Sequence, residues 1–404
     1  ATTYFPFITL KTTVFRFIVE IMLIVWLIRL SLSQQPTCQL TPLIKNVLIY
    51  GLVIFISALL GANFWWSFFS SNERMEGIFG VWHFILFFLI LATTFDWSEL
   101  KKLLKYQVYI SLAYSAVAIL AYAGLGPVKA QFTSNRLAGY TGNPSYFAAY
   151  MIFNAFLGLY FYFEQYLFDH KLYNHWLLVF CGESLLIFLS GTRGGMLGYL
   201  AALLVVFLGI LILAKQKEYH NLRKSILLIS LALIIGIVSV FALKDTPLVK
   251  NNFALERFTS ISLKDPTAMG RLISFKIAWQ SFRQKPLLGW GPENYEMAYL
   301  RNFDKRILDY LPEDLYFDRV HNKPMEVLAT TGLFGFLSYM SIFILAFYIL
   351  WKNYKHYPAA LLPNLALSGM LLGYFTQNIF LFDIYETYLM FFLTLAYLVS
   401  LEKQ

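Results

Sequence analysis

Eleven apolar runs leave this chain one class of fold. They lie near 14–32, 43–62, 78–94, 106–124, 145–163, 176–190, 195–214, 225–243, 326–350, 360–380 and 386–401. A helix of about 20 residues crosses the hydrocarbon of a bilayer. It also satisfies its own backbone hydrogen bonds there, which irregular chain cannot do. The sequence therefore reads as all-α, a polytopic transmembrane helix bundle of about 11 spans. The run at 176–190 is short and the one at 386–401 is aromatic-rich, so these two are the least span-like. Composition agrees. Only 14% of the 404 residues are charged and 58% are hydrophobic, against about a quarter charged in soluble domains. The two cysteines, Cys38 and Cys181, offer neither metal-ligand spacing nor a disulfide framework.

The net charge of +9 follows from topology and does not call for nucleic acid. Lysines and arginines mark cytoplasmic loops. Lys101, Lys102 and Lys105 fall in one loop; Lys171, then Lys215, Lys217, Arg223 and Lys224, then Lys352 and Lys355 fall in every second loop after it, and Lys403 closes the series. This alternation puts the C-terminus inside and the loops carrying Arg136 and Arg193 outside. Counting back puts Ala1 outside, so a further N-terminal span, making 12 with both ends inside, is expected before it. The division that results is 1–243 as N-terminal spans, 244–326 as one large extracytoplasmic loop, and 327–404 as C-terminal spans.

The loop from Lys244 to Glu326 is a polar island with 13 basic and 11 acidic residues, net +2. It carries helical periodicity. Leu272, Phe275, Trp279 and Phe282 share one side of a helix, and Pro286 with Gly289-Trp290-Gly291-Pro292 ends it. An amphipathic helix lying on the outer surface, followed by a structured loop, is expected.

Four positions on the outer side carry chemistry in this reading. Arg193 sits in Ser190-Gly191-Thr192-Arg193-Gly194-Gly195 between two apolar runs. An arginine at membrane depth costs on the order of 2.5–3.5 kcal/mol and usually has a partner or a function; the alternative is a loop arginine snorkelling to lipid phosphates. Arg271 follows Gly270 and is expected to open the amphipathic helix, where the free N–H groups and a guanidinium would both suit phosphate; the alternative is a solvent-facing arginine. Arg136 is a further outer cation. His321 is the best base, because neutral imidazole accepts a proton near neutral pH; the alternative is an interfacial histidine capping a helix. Asn322 either holds the imidazole or caps the following helix, the cap being favoured. Glu293 and Glu296 are alternative bases. No His-x-x-x-His or Glu-x-x-His pair stands nearby, which argues against a metal site.

These residues resemble a known family, the O-antigen ligase and Wzy-type polymerase superfamily, which includes bacterial O-oligosaccharyltransferases. The resemblance is carried by Ser190 to Gly195, by Met269-Gly270-Arg271 leading into Phe275-Lys276-Ile277-Ala278-Trp279, and by Pro286-Leu287-Leu288-Gly289-Trp290-Gly291. It is carried most specifically by Val320-His321-Asn322 followed by Glu326 to Gly335, and also by Asn135-Arg136 through Gly142-Asn143-Pro144. The chain departs from the family at Pro324 and Met325. Pro324 has no N–H to donate, so a helix is expected to start there.

The resemblance implies a GT-C-like bundle in the bacterial cytoplasmic membrane with its site facing outward. It implies transfer of a glycan from an undecaprenyl-pyrophosphate carrier to a glycolipid, glycan or protein acceptor, inverting and without metal, nucleotide or other cofactor. It places the catalytic histidine on His321 and the pyrophosphate arginines on Arg193 and Arg271, with Arg136 beside them. Tyr140, Asn143, Tyr295 and Asn322 are assigned to the sugar or acceptor. A transporter or flippase of lipid-linked oligosaccharides is the alternative function. It would concentrate its ionisable residues inside the bundle, with paired half-helices and internal symmetry.

Overall fold

A computed structural model describes residues 8–32, 39–71, 74–125, 136–169, 174–262, 265–312 and 317–403. Cys38, Asn135, His170 and Lys171, used in the sequence argument, lie outside the described residues. In chain order the α-helices are α1 (Thr9–Leu32), α2 (Pro42–Leu59), α3 (Phe64–Phe69), α4 (Ile78–Thr94), α5 (Trp97–Tyr122), α6 (Pro144–Asp169), α7 (His175–Leu189) and α8 (Arg193–Leu213). They continue with α9 (His220–Ala242), α10 (Pro247–Lys250), α11 (Phe253–Thr259), α12 (Pro266–Gln284), α13 (Tyr295–Arg301), α14 (Lys323–His356), α15 (Leu361–Asn378) and α16 (Tyr385–Glu402). No strand occurs among the described residues.

Each of the eleven apolar runs forms a helix: α1, α2, α4 to α9 and α14 to α16. Seven helical stretches among the described residues are long and apolar enough to cross a membrane, and α4 and α7 are apolar but shorter. The protein is a multi-pass, all-α membrane protein.

The chain forms two compact units that interleave in sequence. The first collects 1–102, 262–349 and 378–404; the second collects 103–261 and 350–377.

In the first unit, Phe84 stacks on Phe15 (4.5 Å), Tyr388 (5.2 Å) and Phe392 (6.1 Å), which packs α4 between α1 and α16. The polar island contributes α12 and α13, whose core gathers Ile273, Ile277, Tyr295, Tyr299 and Phe317. Beside the expected stripe, α12 has a second face turned to this core. Leu272 and Trp279 are 45% and 48% exposed, while Gly270, Ile273, Ser274, Ile277, Ala278 and Ser281 are buried. The helix carries two apolar stripes, and the inner one is lined by small residues. Trp290 Nε1 donates to the Ser281 carbonyl at 2.9 Å and Asn302 Nδ2 to Ser281 Oγ at 3.1 Å, contacts that a larger side chain at 281 would block. The start of α12 is corrected. Asp265 caps it by accepting from Thr267 N (3.0 Å), and Pro266 occupies its first turn. Proline is preorganised for that position, so Arg271 lies one turn inside the helix and does not open it.

α14 is two helices joined at Gly332, which has φ 66°. The break is clasped by the loop after α12. Leu333 N donates to the Pro286 carbonyl (2.8 Å), and Trp290 N and Gly291 N donate to the carbonyls of Ala329 and Thr330 (3.2 and 2.7 Å). Ser57 of α2 adds a bond to the Thr330 carbonyl (3.0 Å). Gly289 also has positive φ, 67°. A Cβ on Gly332 would overlap the Leu287 backbone, and one on Gly289 the Thr330 backbone. Here two chain segments touch through backbone alone, which only glycine permits.

In the second unit α6 is the axis: its 147–163 stretch is buried by protein. Gly198 of α8 and Gly373 of α15 bring those helices together, since a Cβ on Gly198 would stand 2.7 Å from the Gly373 carbonyl oxygen. Small residues serve this purpose where lipid gives no hydrophobic drive to helix association.

Candidate active site

The first unit places His321 in the turn before α14. Asn322 caps that helix, its Oδ1 accepting from Met325 N at 3.0 Å. His321 itself has φ 58°, the left-handed region, uncommon for a non-glycine residue. Its Nδ1 lies 3.2 Å from the Arg319 carbonyl oxygen. A carbonyl only accepts, so Nδ1 carries the hydrogen and Nε2 carries the lone pair. Two rings stand edgewise to the imidazole, Phe317 at 5.7 Å and Phe382 at 5.3 Å. Burial, then the Arg271 charge, brings the imidazole from 6.5 down to about 4, against the opposing pull of Asp318. Neutral imidazole is thus the resting form at neutral pH.

On either side of His321 stand two buried cations. Arg319, 5% exposed, holds Glu293 through two bonds (2.7 and 2.8 Å), Glu76 at 2.8 Å and Glu326 at 3.0 Å. Lys323 is bonded to Tyr388 OH (3.0 Å) and lies 3.6 Å from Asp383 and 3.8 Å from Glu326. Burial would weaken the Arg319 charge, but Glu293 and then Glu326 prevail and hold it well above its ordinary value. Burial pushes Glu76 up to about 8, with Arg319 opposing and Glu293 assisting, so Glu76 is mostly protonated at neutral pH. Glu293, considered as a base, is committed to Arg319 and to Ser70. Arg74 grips Asp318 (2.7 and 3.0 Å). Burial raises Asp318, but Arg74 and then Arg319 bring it below the usual carboxylate range.

The second unit gathers three arginines. Arg193 is the first residue of α8, just past the turn formed by Gly191 at φ 60°. Its Nε donates to the Arg257 carbonyl (3.3 Å) and its Nη2 to Ser260 Oγ (2.9 Å). Arg136 donates to the Ser190 carbonyl and to Thr192 Oγ1, both at 3.1 Å. Burial, then the like charges of Arg257 and Arg193, lowers the Arg136 guanidinium to about 10. A helix start combined with guanidinium groups is the arrangement that favours a phosphate; it occurs at Arg193, not at Arg271.

Residues 176–340 match a family model described as O-antigen ligase. The match spans less than half of the chain, and over it the chain is similar to O-antigen ligases. It is accordingly a glycan-transferring enzyme of the membrane. No curated protein matches the chain. The segment matched to O-antigen ligases holds Arg193, Arg271, Arg319 and His321, and leaves Arg74, Glu76, Arg136, Phe382 and Asp383 outside it.

The structure brings Arg136 and Arg193 together in one unit, and Arg271 with His321 and Asn322 in the other. Tyr295 is 1% exposed, with its hydroxyl 3.0 Å from both Ser274 Oγ and the Ser274 carbonyl; it braces the core of the island. Asn143 accepts from Ser145 N (2.8 Å) at the start of α6. Tyr140 is partly exposed in the short 3-10 turn Gly139–Thr141. Sequence reasoning missed Glu76, Arg319, Lys323, Phe382 and Asp383. Two of them, Arg319 and Lys323, carried a usable sign, since both are charges beside the base and next to an apolar run.

Proposed function

We propose that this enzyme transfers a glycan from an undecaprenyl-pyrophosphate carrier to an acceptor hydroxyl at the outer face of the bacterial cytoplasmic membrane. The observation that carries the reading is the state of His321: neutral, with Nδ1 turned to the Arg319 carbonyl. Nε2 takes the acceptor proton as the hydroxyl oxygen attacks the anomeric carbon. The bond from that carbon to the pyrophosphate oxygen breaks, and its electron pair leaves with the pyrophosphate. One displacement inverts the anomeric configuration. General base help of this kind is worth about 10²–10⁴ in rate.

The leaving group needs charge neutralisation more than a proton. Arg136, Arg193 and the first turn of α8 supply donors for the pyrophosphate, and Arg271 supplies a cation near His321. Each charge-assisted hydrogen bond contributes roughly 1.5–3 kcal/mol, and donors fixed in advance act most strongly where charge develops. A lipid A core, a growing glycan and a protein hydroxyl all fit this chemistry as acceptors. The family match favours transfer over a flippase.

The test is transfer by the purified protein in nanodiscs, using a synthetic undecaprenyl-pyrophosphate glycan and membrane extracts as acceptor. His321→Ala should reduce transfer at least about 10²-fold while thermal stability stays near wild type. Arg193→Ala and Arg271→Ala should raise the donor KM more than Arg→Lys does. Full transfer by His321→Ala removes the base, and equal KM in all four arginine variants removes the pyrophosphate role.

A further inference from the structure

The loop between α15 and α16 lies outside the segment matched to O-antigen ligases, yet it is fastened to the turn that carries His321. Lys323 N donates to the Leu381 carbonyl at 3.0 Å. Asp383, 3.6 Å from Lys323, accepts from Asn378 Nδ2 (3.0 Å) and Thr387 Oγ1 (3.4 Å), so its carboxylate is fixed by both flanking helices. Between Leu381 and Asp383 stands Phe382, 3% exposed. Its ring is edgewise to the imidazole at 5.3 Å. It is also approached by two guanidiniums, Arg74 at 4.8 Å and Arg319 at 5.7 Å.

We infer that Phe382 is a positioning residue for His321, holding the imidazole in one orientation and closing one of its sides to water. The left-handed backbone at 321 leaves the side chain without help from a regular helix. It is held by one hydrogen bond through Nδ1 and by the rings of Phe317 and Phe382. Phe317 comes from the His321 segment itself; Phe382 is the wall contributed from elsewhere in the chain. The cations over its ring are drawn to an aromatic face, which fixes Phe382 in turn. The inference rests on His321 acting as base, but its test does not need that activity.

The probe is diethylpyrocarbonate, which acylates neutral imidazole. Its rate at His321 is read by peptide mass spectrometry on the whole protein in detergent, from pH 5.5 to 7.5. The charged groups facing His321 are Arg271 from α12, Arg74 from the segment before α4, and Asp318 and Arg319 from its own turn; all remain in place. In wild type the rate should be flat across this window. In Phe382→Leu water reaches the ring, and the rate should rise at least threefold from pH 5.5 to 7.5. Phe382→Tyr, which keeps the ring, should restore the flat profile. Phe382→Met serves as the second opened variant if Phe382→Leu does not fold. Flat profiles in Leu and Met variants alike overturn the inference. So does a Tyr profile as steep as theirs. Loss of thermal stability with an unmoved profile reduces Phe382 to a packing role and likewise overturns it. Transfer by His321→Ala is decided separately, so failure of the base and failure of its positioning are told apart.

Discussion

At the scale of single residues, the pH behaviour of this enzyme turns on two groups displaced in opposite directions. His321 sits near 4, so its base form persists as pH falls below 6.5 and is lost only as pH passes about 4. Its stability contribution follows the same window: present above 6.5 and lost as pH drops toward 4, where the unfolded chain takes up the proton first. We expect kcat/KM to hold level from neutral pH to about 5. In Arg271→Gln the acid limb should move up toward 6.5, because one cation opposing protonation is gone. A wild-type limb already at 6.5 would contradict this. Glu76 is the converse, protonated up to about 8. Its contribution is present below its ordinary carboxylate value and lost as pH rises through 8. Glu76→Gln should therefore match wild type in melting temperature near pH 4 and exceed it by a margin that grows up to about pH 8; parallel curves for the two proteins would sink the assignment. His321 and the Asn322 cap were readable from sequence, because both depend on neighbours in the chain. The acids around Arg319 were not. They come from positions 76, 293 and 326, and no periodicity links them.

At the scale of elements, the eleven apolar runs were legible as helices because length and hydropathy alone decide them. The inner stripe of α12 was not, because four of its buried residues, Gly270, Ser274, Ala278 and Ser281, are small and give little apolar signal. The start of α12 was readable in principle from Asp265-Pro266, a cap followed by a helix-first proline. The clasp between the 286–291 loop and α14 was visible only as a pattern of glycines. Its energetics can be measured. Gly332→Ala and Gly289→Ala each impose a left-handed alanine, which costs roughly 1–2 kcal/mol, and add a collision of Cβ with backbone. Either change should lower the melting temperature by several degrees and reduce transfer together with stability. Gly236→Ala, in α9 with open space around its missing Cβ, should do neither. Equal melting of all three variants would mean that the clasp is not a constraint.

At the scale of the whole molecule, charge alternation makes a testable claim about the membrane. Reporters fused after Lys101 and after Lys352 should report the same, cytoplasmic side, and opposite sides would overturn the orientation. Transfer should survive EDTA, since arginines are proposed to supply the charge that a divalent ion would otherwise bring; a strict metal requirement would contradict the mechanism. The buried charges around His321 have a further consequence, for biogenesis. Lys323 is synthesised about 60 residues before Asp383 and Tyr388 reach it, and a buried lysine short of partners is costly in a low-dielectric interior. Until the α15–α16 hairpin inserts, Lys323 has Glu326 but lacks Asp383 and Tyr388. The turn that carries His321 is then completed only after α15 and α16 have been made. A chain cut before Asp383 should therefore lose transfer, even though every residue proposed to touch substrate has already been made.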